Sequence, residues 1–331
     1  MLAETPAAAQ DFSATGFDPI NRGYNSVFKA DRMSIGLVVP LETYDRGPVP
    51  SMTRHLERVQ LAEELGFSAV WLRDVPFKVP SFGDAGQLYD PFVYLGYLAG
   101  QTKRIALGVA SIILPLRHPA HVAKAAASTD ALSGGRLILG VASGDRPQEY
   151  PALNLPFEDR SERFRDSFDY IRRMSEDAPE FASEHYGSPG GGMDMLPKPV
   201  AGKLPLLITG GSQQDPDWLA NHGDGWMIYP RNLPMQNQVI RDWRERIHAA
   251  GLPDKPVMQP LYIDLDDDPN ASPYPIHLGY HLGVRRLASH LKSLRDIGLN
   301  HLALNLRFNK ADIESTMKRL ADDLPASFFS R

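Results

Sequence analysis

Short apolar runs recur along the chain, and between them the apolar residues fall three or four apart. The first run, Ile35 to Pro40 (IGLVVP), is uninterrupted, as in strands buried on both faces. Met52, Leu56, Val59, Ala62 and Leu65 then form one helical stripe, starting near Ser51 as N-cap and ending at Gly66 as C-cap. The alternation continues with strands at Ala69 to Asp74, Ile105 to Leu114, Leu137 to Ser143, Leu204 to Thr209, Gly225 to Tyr229, Met258 to Leu265 and His301 to Leu306. Helices are predicted from Asp90–Pro91 to Lys103 and over Pro119 to Leu132, Ser161 to Ser175, Pro216 to Asn221, Asn237 to Ala250, Val284 to Ile297 and Ile313 to Leu324.

Eight strand signals alternating with helices predict a single α/β domain, a (β/α)8 TIM barrel. An open doubly wound sheet is the alternative, and the near-even units argue against it. Residues 1–33 read as an N-terminal arm and residues 34–331 as the barrel. Residues 176–203 and 266–283 read as long insertions at the C-terminal face, the usual place of lids and binding loops.

Composition narrows the chemistry. The 331 residues contain no cysteine, which removes disulfides, thiolate nucleophiles, iron–sulfur clusters and cysteine-zinc sites. A net charge of −5 lacks the cationic surplus that nucleic-acid binding requires. The start, Met1 to Gln10, has no basic and apolar leader, and no apolar stretch is long enough for a membrane helix. A cytoplasmic location is the resulting expectation.

Barrel active sites lie at the C-terminal ends of strands, so those ends hold the candidates: Glu42, Arg73–Asp74, Ser111 to His118, Ser143 to Arg146, Thr209 to Gln213, Tyr229 to Arg231, Asp264 and Asn305 to Arg307. Two ends suit an anion. Ser143–Gly144–Asp145–Arg146 combines a hydroxyl, a flexible glycine and a guanidinium. Gly210–Gly211–Ser212–Gln213 offers bare amides ahead of a helix. Either alone is also what a tight strand-to-helix turn needs; both on neighbouring strands favour a phosphate. Other chemistries fail on spacing. Gly140 to Gly144 reads G-V-A-S-G, one place off a serine-hydrolase elbow. No dinucleotide-binding G-x-G-x-x-G is present. His118 and His121 lack a third ligand, so no metal is expected. Lys78 and Lys310 lie past the strand ends where a Schiff-base lyase would need its lysine.

The run from Asp90 to Tyr150 resembles the bacterial luciferase-like flavin monooxygenases, and closest is the luciferase-type oxidoreductase subgroup. The likeness is carried by LPLRHP (Leu114 to Pro119), LSGGRLILGV (Leu132 to Val141), LPKPV (Leu196 to Val200) and HGDGWM (His222 to Met227). It extends over about residues 33–325.

The resemblance implies a (β/α)8 barrel that binds FMN, or in some members a deazaflavin coenzyme, over its C-terminal mouth. It assigns the phosphate to Ser143, Gly144, Arg146, Gly210, Gly211, Ser212 and Gln213, and a non-proline cis peptide against the flavin to Ala110–Ser111. Asp74, Ser111 and His118 would surround the ring, with Asp74 and His118 as catalytic candidates; Tyr229, Asn305 and Arg307 would face the substrate.

Two departures bear on the chemistry. Luciferase has Glu-His-His after its second strand, whereas Arg73–Asp74–Val75 stands here, so light emission is not expected. Ser143 stands where luciferase has an arginine, which leaves Arg146 to supply the cation. The implied activity is oxidation of a small organic substrate by molecular oxygen and reduced FMN. A separate flavin reductase would supply the reduced flavin, and a homodimer is usual. The rivals are deazaflavin-dependent hydride transfer and a flavin-binding protein without turnover.

Overall fold

The computed structural model describes residues 16–82 and 84–330. Residues 1–15 of the arm lie outside them. The elements in chain order are α1 (Arg22–Val27), β1 (Ser34–Val38), α2 (His55–Leu65), β2 (Ala69–Leu72), α3 (Pro91–Gln101), β3 (Ala106–Ile113), α4 (Pro119–Ser133), β4 (Leu137–Ala142), α5 (Glu149–Ala152), α6 (Arg160–Arg173), β5 (Leu206–Thr209), α7 (Pro216–His222), β6 (Gly225–Met227), α8 (Leu233–Ala249), β7 (Val257–Leu265), β8 (Tyr274–Ile276), β9 (Gly279–Leu282), α9 (Val284–Asp296), β10 (His301–Asn305) and α10 (Ile313–Asp323).

Strands β1 to β7 and β10 are parallel and adjacent in order, and β10 pairs with both β7 and β1. The sheet therefore closes on itself as an eight-stranded (β/α)8 barrel. Both faces of each strand are covered, by helices outside and by neighbouring strands inside, which explains the uninterrupted apolar runs.

The interior is filled from Trp71, Ala106, Ile138, Leu207, Met258 and Ala303. Gly108 makes room for the indole: a Cβ there would lie 2.3 Å from Trp71. Trp71 Nε1 donates to His301 Nε2 at 2.8 Å. Nδ1 of His301 therefore carries the proton and faces Ser34 Oγ at 2.6 Å, and that hydroxyl donates to the Val27 carbonyl. Burial drives the His301 pKa down to about 3, so the ring is a neutral structural link.

The described part of the arm crosses the N-terminal end of the barrel. Phe17, Tyr24, Val27 and Phe28 enter the interior cluster. Asn21 Nδ2 donates to Asp130 and to the Leu137 carbonyl, and Tyr24 donates its hydroxyl to the Asp224 carbonyl. Chemistry is thereby left to the opposite, C-terminal end.

Three local features differ from the sequence reading. Helix α2 begins at His55, because Ser51 turns to the Glu42 carboxylate and Arg54 holds the N-cap in a left-handed conformation. Helix α8 begins at Leu233, with Asn232 as its cap. Residues 266–283, read as a loop, contain the β8–β9 hairpin, whose second strand pairs with the C-terminal half of β7. No helix among the described residues is long and apolar enough to cross a membrane.

Candidate active site

A cavity of about 510 Å³ opens at the C-terminal ends of the strands. Its floor is the top of the interior core, with Trp71, Met227, Met258 and Ala303. Of the residues singled out in the sequence, Asp74, Ala110, Ser111, Ser143, Gly144, Arg146, Gly210, Gly211, Ser212, Gln213, Tyr229, Asn305 and Arg307 all line it.

The wall at β4 and β5 is a cradle of donors. Gly144 has φ +77°, and a Cβ there would meet Ile113 at 2.7 Å, so only glycine fits. The Tyr150 hydroxyl, buried behind it, donates to the Ser143 carbonyl. Gly210, Ser212 and Gln213 all have positive φ. The Gly210 carbonyl is held by Trp226 Nε1 at 2.8 Å, and the Ser212 hydroxyl is spent on the Thr209 carbonyl at 2.8 Å. Such a turn gathers backbone N–H groups on its concave side. Asp215 caps α7 by accepting from Trp218, so the loop amides, rather than the helix end, are what the turn offers an anion.

Arg146 completes the cradle. Its side chain is buried, lies 5.0 Å over the Phe82 ring, and leaves Nη1 without a hydrogen-bond partner. The nearest carboxylate is Glu149, 3.7 Å away and 1 % exposed. Burial pushes the Glu149 pKa up to about 7, against the pull of Arg146. The sequence reading did not include Glu149, since nothing in its neighbourhood marks it before the short helix α5 turns it inward.

The wall at β3 carries the peptide to which the resemblance pointed. Ala110–Ser111 is a cis non-proline bond, and the β3–β4 register shifts between Val109 and Ile112. Ala110 and Ser111 are half-buried and border the cavity.

Of the two catalytic candidates, Asp74 lines the cavity and His118 does not. Asp74 borders the cavity, but its carboxylate accepts Arg117 Nη2 at 2.7 Å, Arg117 Nε at 3.0 Å and the Ile113 amide at 3.2 Å. It is 7 % exposed and works as an anchor between β2 and β3. His118 does not line the cavity. Its ring caps α4 by accepting from the Ala120 amide and packs edge-on against Tyr170 and Tyr186 on the outer layer. The signal was in the sequence: proline at the first helical position makes the preceding residue the cap.

The remaining wall, at β2 and β10, sets Arg73, Arg307, Asn305 and Tyr229 beside Asp84, Tyr262 and His277, which the sequence reading left out of the site. Arg73 and Arg307 converge on Asp84, at 2.5 Å and 3.0 Å. Burial alone would raise the Asp84 pKa, but Arg73, the Gly86 amide and Arg307 together outweigh it and hold the carboxyl below its ordinary value. Tyr262 and His277 stand beside them, their rings 5.6 Å apart. Asn305 Oδ1 accepts the Arg307 amide at 3.0 Å, and Tyr229 is half exposed at the rim.

With this geometry in view, the relatives are informative. The luciferase-like monooxygenase family matches residues 33–328. The chain belongs to that family. A protein of Mycobacterium tuberculosis is 30 % identical over 239 residues, covering 67 % of this chain and 82 % of its own. Among solved structures, the monooxygenase RslO1 from Streptomyces bottropensis superposes with a TM-score of 0.73 at 19 % identity, over 88 % of this chain and 98 % of that one. An F420-dependent secondary alcohol dehydrogenase in complex with an F420–acetone adduct gives 0.72 at 18 %, over 89 % and 99 %. The oxygenating constituent of a 3,6-diketocamphane monooxygenase from Pseudomonas putida, in complex with FMN, gives 0.69 at 14 %, over 89 % and 99 %. At these identities the superpositions speak for the fold, a barrel that in its neighbours holds FMN or F420.

Proposed function

We propose that this chain is an FMN-dependent oxidoreductase that uses reduced FMN and molecular oxygen to oxidise a small organic substrate. The observation that carries this reading is the cradle at β4 and β5. The Gly211–Gln213 turn and the buried guanidinium of Arg146 line one cavity, a donor set that suits a phosphate monoester.

Arg146 also favours FMN over the deazaflavin. The deazaflavin coenzyme has an additional carboxylate-bearing tail. Of the three arginines lining the cavity, Arg73 and Arg307 stand across the mouth, so Arg146 is the single cation beside the cradle.

When bound, reduced FMN supplies the electrons that activate oxygen. The protein's own part is binding, orientation and exclusion of water. Gly211 to Gln213, Ser143, Gly144 and Arg146 would hold the phosphate, with Gly210 fixing the turn through its amide on the Met227 carbonyl. Ala110–Ser111 borders the cavity beside them. Trp71, Ile113 and Met227 give an apolar floor and wall that keep water from the reacting atoms. Asp74 keeps β2 and β3 in register through Arg117.

The same reading includes a separate flavin reductase, a cytoplasmic location and a homodimer. Val93, Tyr97, Leu88 and Tyr89, exposed around the start of α3, are an apolar surface suited to a second copy.

The test is an anaerobic titration with reduced FMN, oxidised FMN and the reduced deazaflavin, followed by oxygen uptake with a panel of substrates. Preferential binding of reduced FMN and substrate-dependent oxygen uptake are expected. Preference for the deazaflavin would redirect the reaction to hydride transfer, and binding of none of the three would refute the flavin reading.

A further inference from the structure

The cavity carries a second concentration of positive charge, away from the cradle. Arg73 leaves the C-terminal end of β2, and Arg307 that of β10. These strands are the two neighbours of β1, so the pair stands across the ring of strands from β4 and β5.

Both guanidinium groups share one oxygen of Asp84. The other oxygen accepts the Gly86 amide at 2.8 Å. Two positive charges against one negative leave one in surplus. The cluster is withdrawn from water: the side chains of Arg73, Arg307 and Asp84 are 20 %, 12 % and 11 % exposed. Arg307 is also stacked between the Tyr44 ring, 4.7 Å from its guanidinium carbon, and the Phe308 ring, 5.2 Å away. Its Nε and the Tyr44 hydroxyl are buried without hydrogen-bond partners. Arg73 donates to Asp84 alone among the described residues.

Cations held away from bulk water are costly unless matched by anions and hydrogen bonds. Here the fold fixes two planar guanidinium groups, supplies half of the required countercharge, and turns the remainder towards a ligand cavity.

We infer that Arg73 and Arg307 form a carboxylate-binding subsite, and that the substrate of this enzyme is a small organic acid. Its carboxylate docks between the two guanidinium groups, and the carbon to be oxidised projects towards the centre of the cavity. Guanidinium forks suit a carboxylate in geometry as well as charge. Asp84 sets the spacing of the pair and keeps one charge free rather than two. The inference rests on the flavin reading for the reaction that follows, but binding of the acid does not require the flavin, so the two can fail separately.

The experiment uses the full chain without cofactor. Benzoate, phenylacetate and hexanoate are compared with benzamide, phenylacetamide and hexanamide by thermal shift and calorimetry. At least one acid should bind about tenfold or more tightly than its amide, the worth of one charge-assisted pair. Arg307→Met should erase that preference while FMN affinity stays within about twofold, since the phosphate is held across the mouth. Asp84→Asn, which removes the internal countercharge, should tighten the acid by about tenfold or more. A purely structural role for Asp84 predicts no tightening.

Equal binding of acids and amides overturns the inference. So does an acid affinity unchanged in both variants. A loss of FMN affinity in Arg307→Met as large as the loss of acid assigns the surplus charge to the flavin ring and also overturns it. Should Arg307→Met fail to fold, Asp84→Asn decides by the sign of its effect.

Discussion

Replacing Arg146 with methionine removes the guanidinium, together with its contact over the exposed Phe82 ring, and keeps much of the aliphatic stem. Among the described residues Arg146 Nη1 has no hydrogen-bond partner, and its one close carboxylate is Glu149 at 3.7 Å, beyond hydrogen-bond reach. Little native bonding is therefore lost with it. Glu149 is left behind, but burial already holds its pKa at about 7, so it can stay neutral instead of becoming an isolated buried charge. The loss should fall on the ligand. One charged hydrogen bond to phosphate contributes about 1.5–3 kcal/mol, which corresponds to roughly a 10- to 100-fold rise in Kd. The assay is fluorescence titration of wild type and Arg146→Met with FMN and, in parallel, with riboflavin, which has the same ring and no phosphate. FMN should weaken by that factor while riboflavin is unchanged. Equal weakening of both ligands would show that Arg146 supports the ring or the fold, and no weakening of either would remove it from the cradle; both results refute the reasoning.

Three further outcomes are expected. Glu149 loses its proton near pH 7 and then offsets the Arg146 charge, so FMN should bind more weakly as pH rises from about 6 to about 8; Glu149→Gln should flatten that profile, and parallel profiles would contradict it. The same raised pKa means that the folded chain holds a proton the unfolded chain has released, so the stability Glu149 contributes is present at acid pH and is lost as pH climbs from the ordinary carboxylate range through about 7, measurable by urea denaturation of wild type and Glu149→Gln. Arg136, 2 % exposed, donates to the carbonyls of Ala99, Thr102, Ile105 and Ser133 and to the Thr102 hydroxyl, so Arg136→Met should cost about 3–5 kcal/mol in a denaturant titration.

Much of the barrel was legible because its signal is local. A strand buried on both faces must be apolar at nearly every position, and LILGV or IALGV can be recognised without its neighbours. The cradle was legible for a related reason: glycines and a serine directly after two such strands sit at the functional end of a barrel by topology. What escaped depends on contacts between distant segments. Helix α1 has six residues and is held by Gly135, Leu137 and Asp224. The β8–β9 hairpin has strands of three and four residues and borrows its order from β7. Asp84 sits in an irregular loop, and only the closed ring brings it between Arg73 and Arg307. Strand-end position identified Asp74 and His118, but that rule cannot tell where a side chain points once a neighbouring arginine or a helix start claims it.

The arm across the barrel's base bears on the order of events during synthesis. Phe17 to Phe28 leaves the ribosome before the strands of the barrel, yet the carbonyl that receives the Tyr24 hydroxyl belongs to Asp224, 200 positions later. At about 5–20 residues per second, that partner emerges roughly 10–40 seconds after the tyrosine. For that interval an aromatic segment built to be sealed inside the molecule has no finished receptacle. Chaperone dependence and aggregation of nascent chains should therefore concentrate in the segment Phe17 to Phe28, at the end of the barrel farthest from its chemistry.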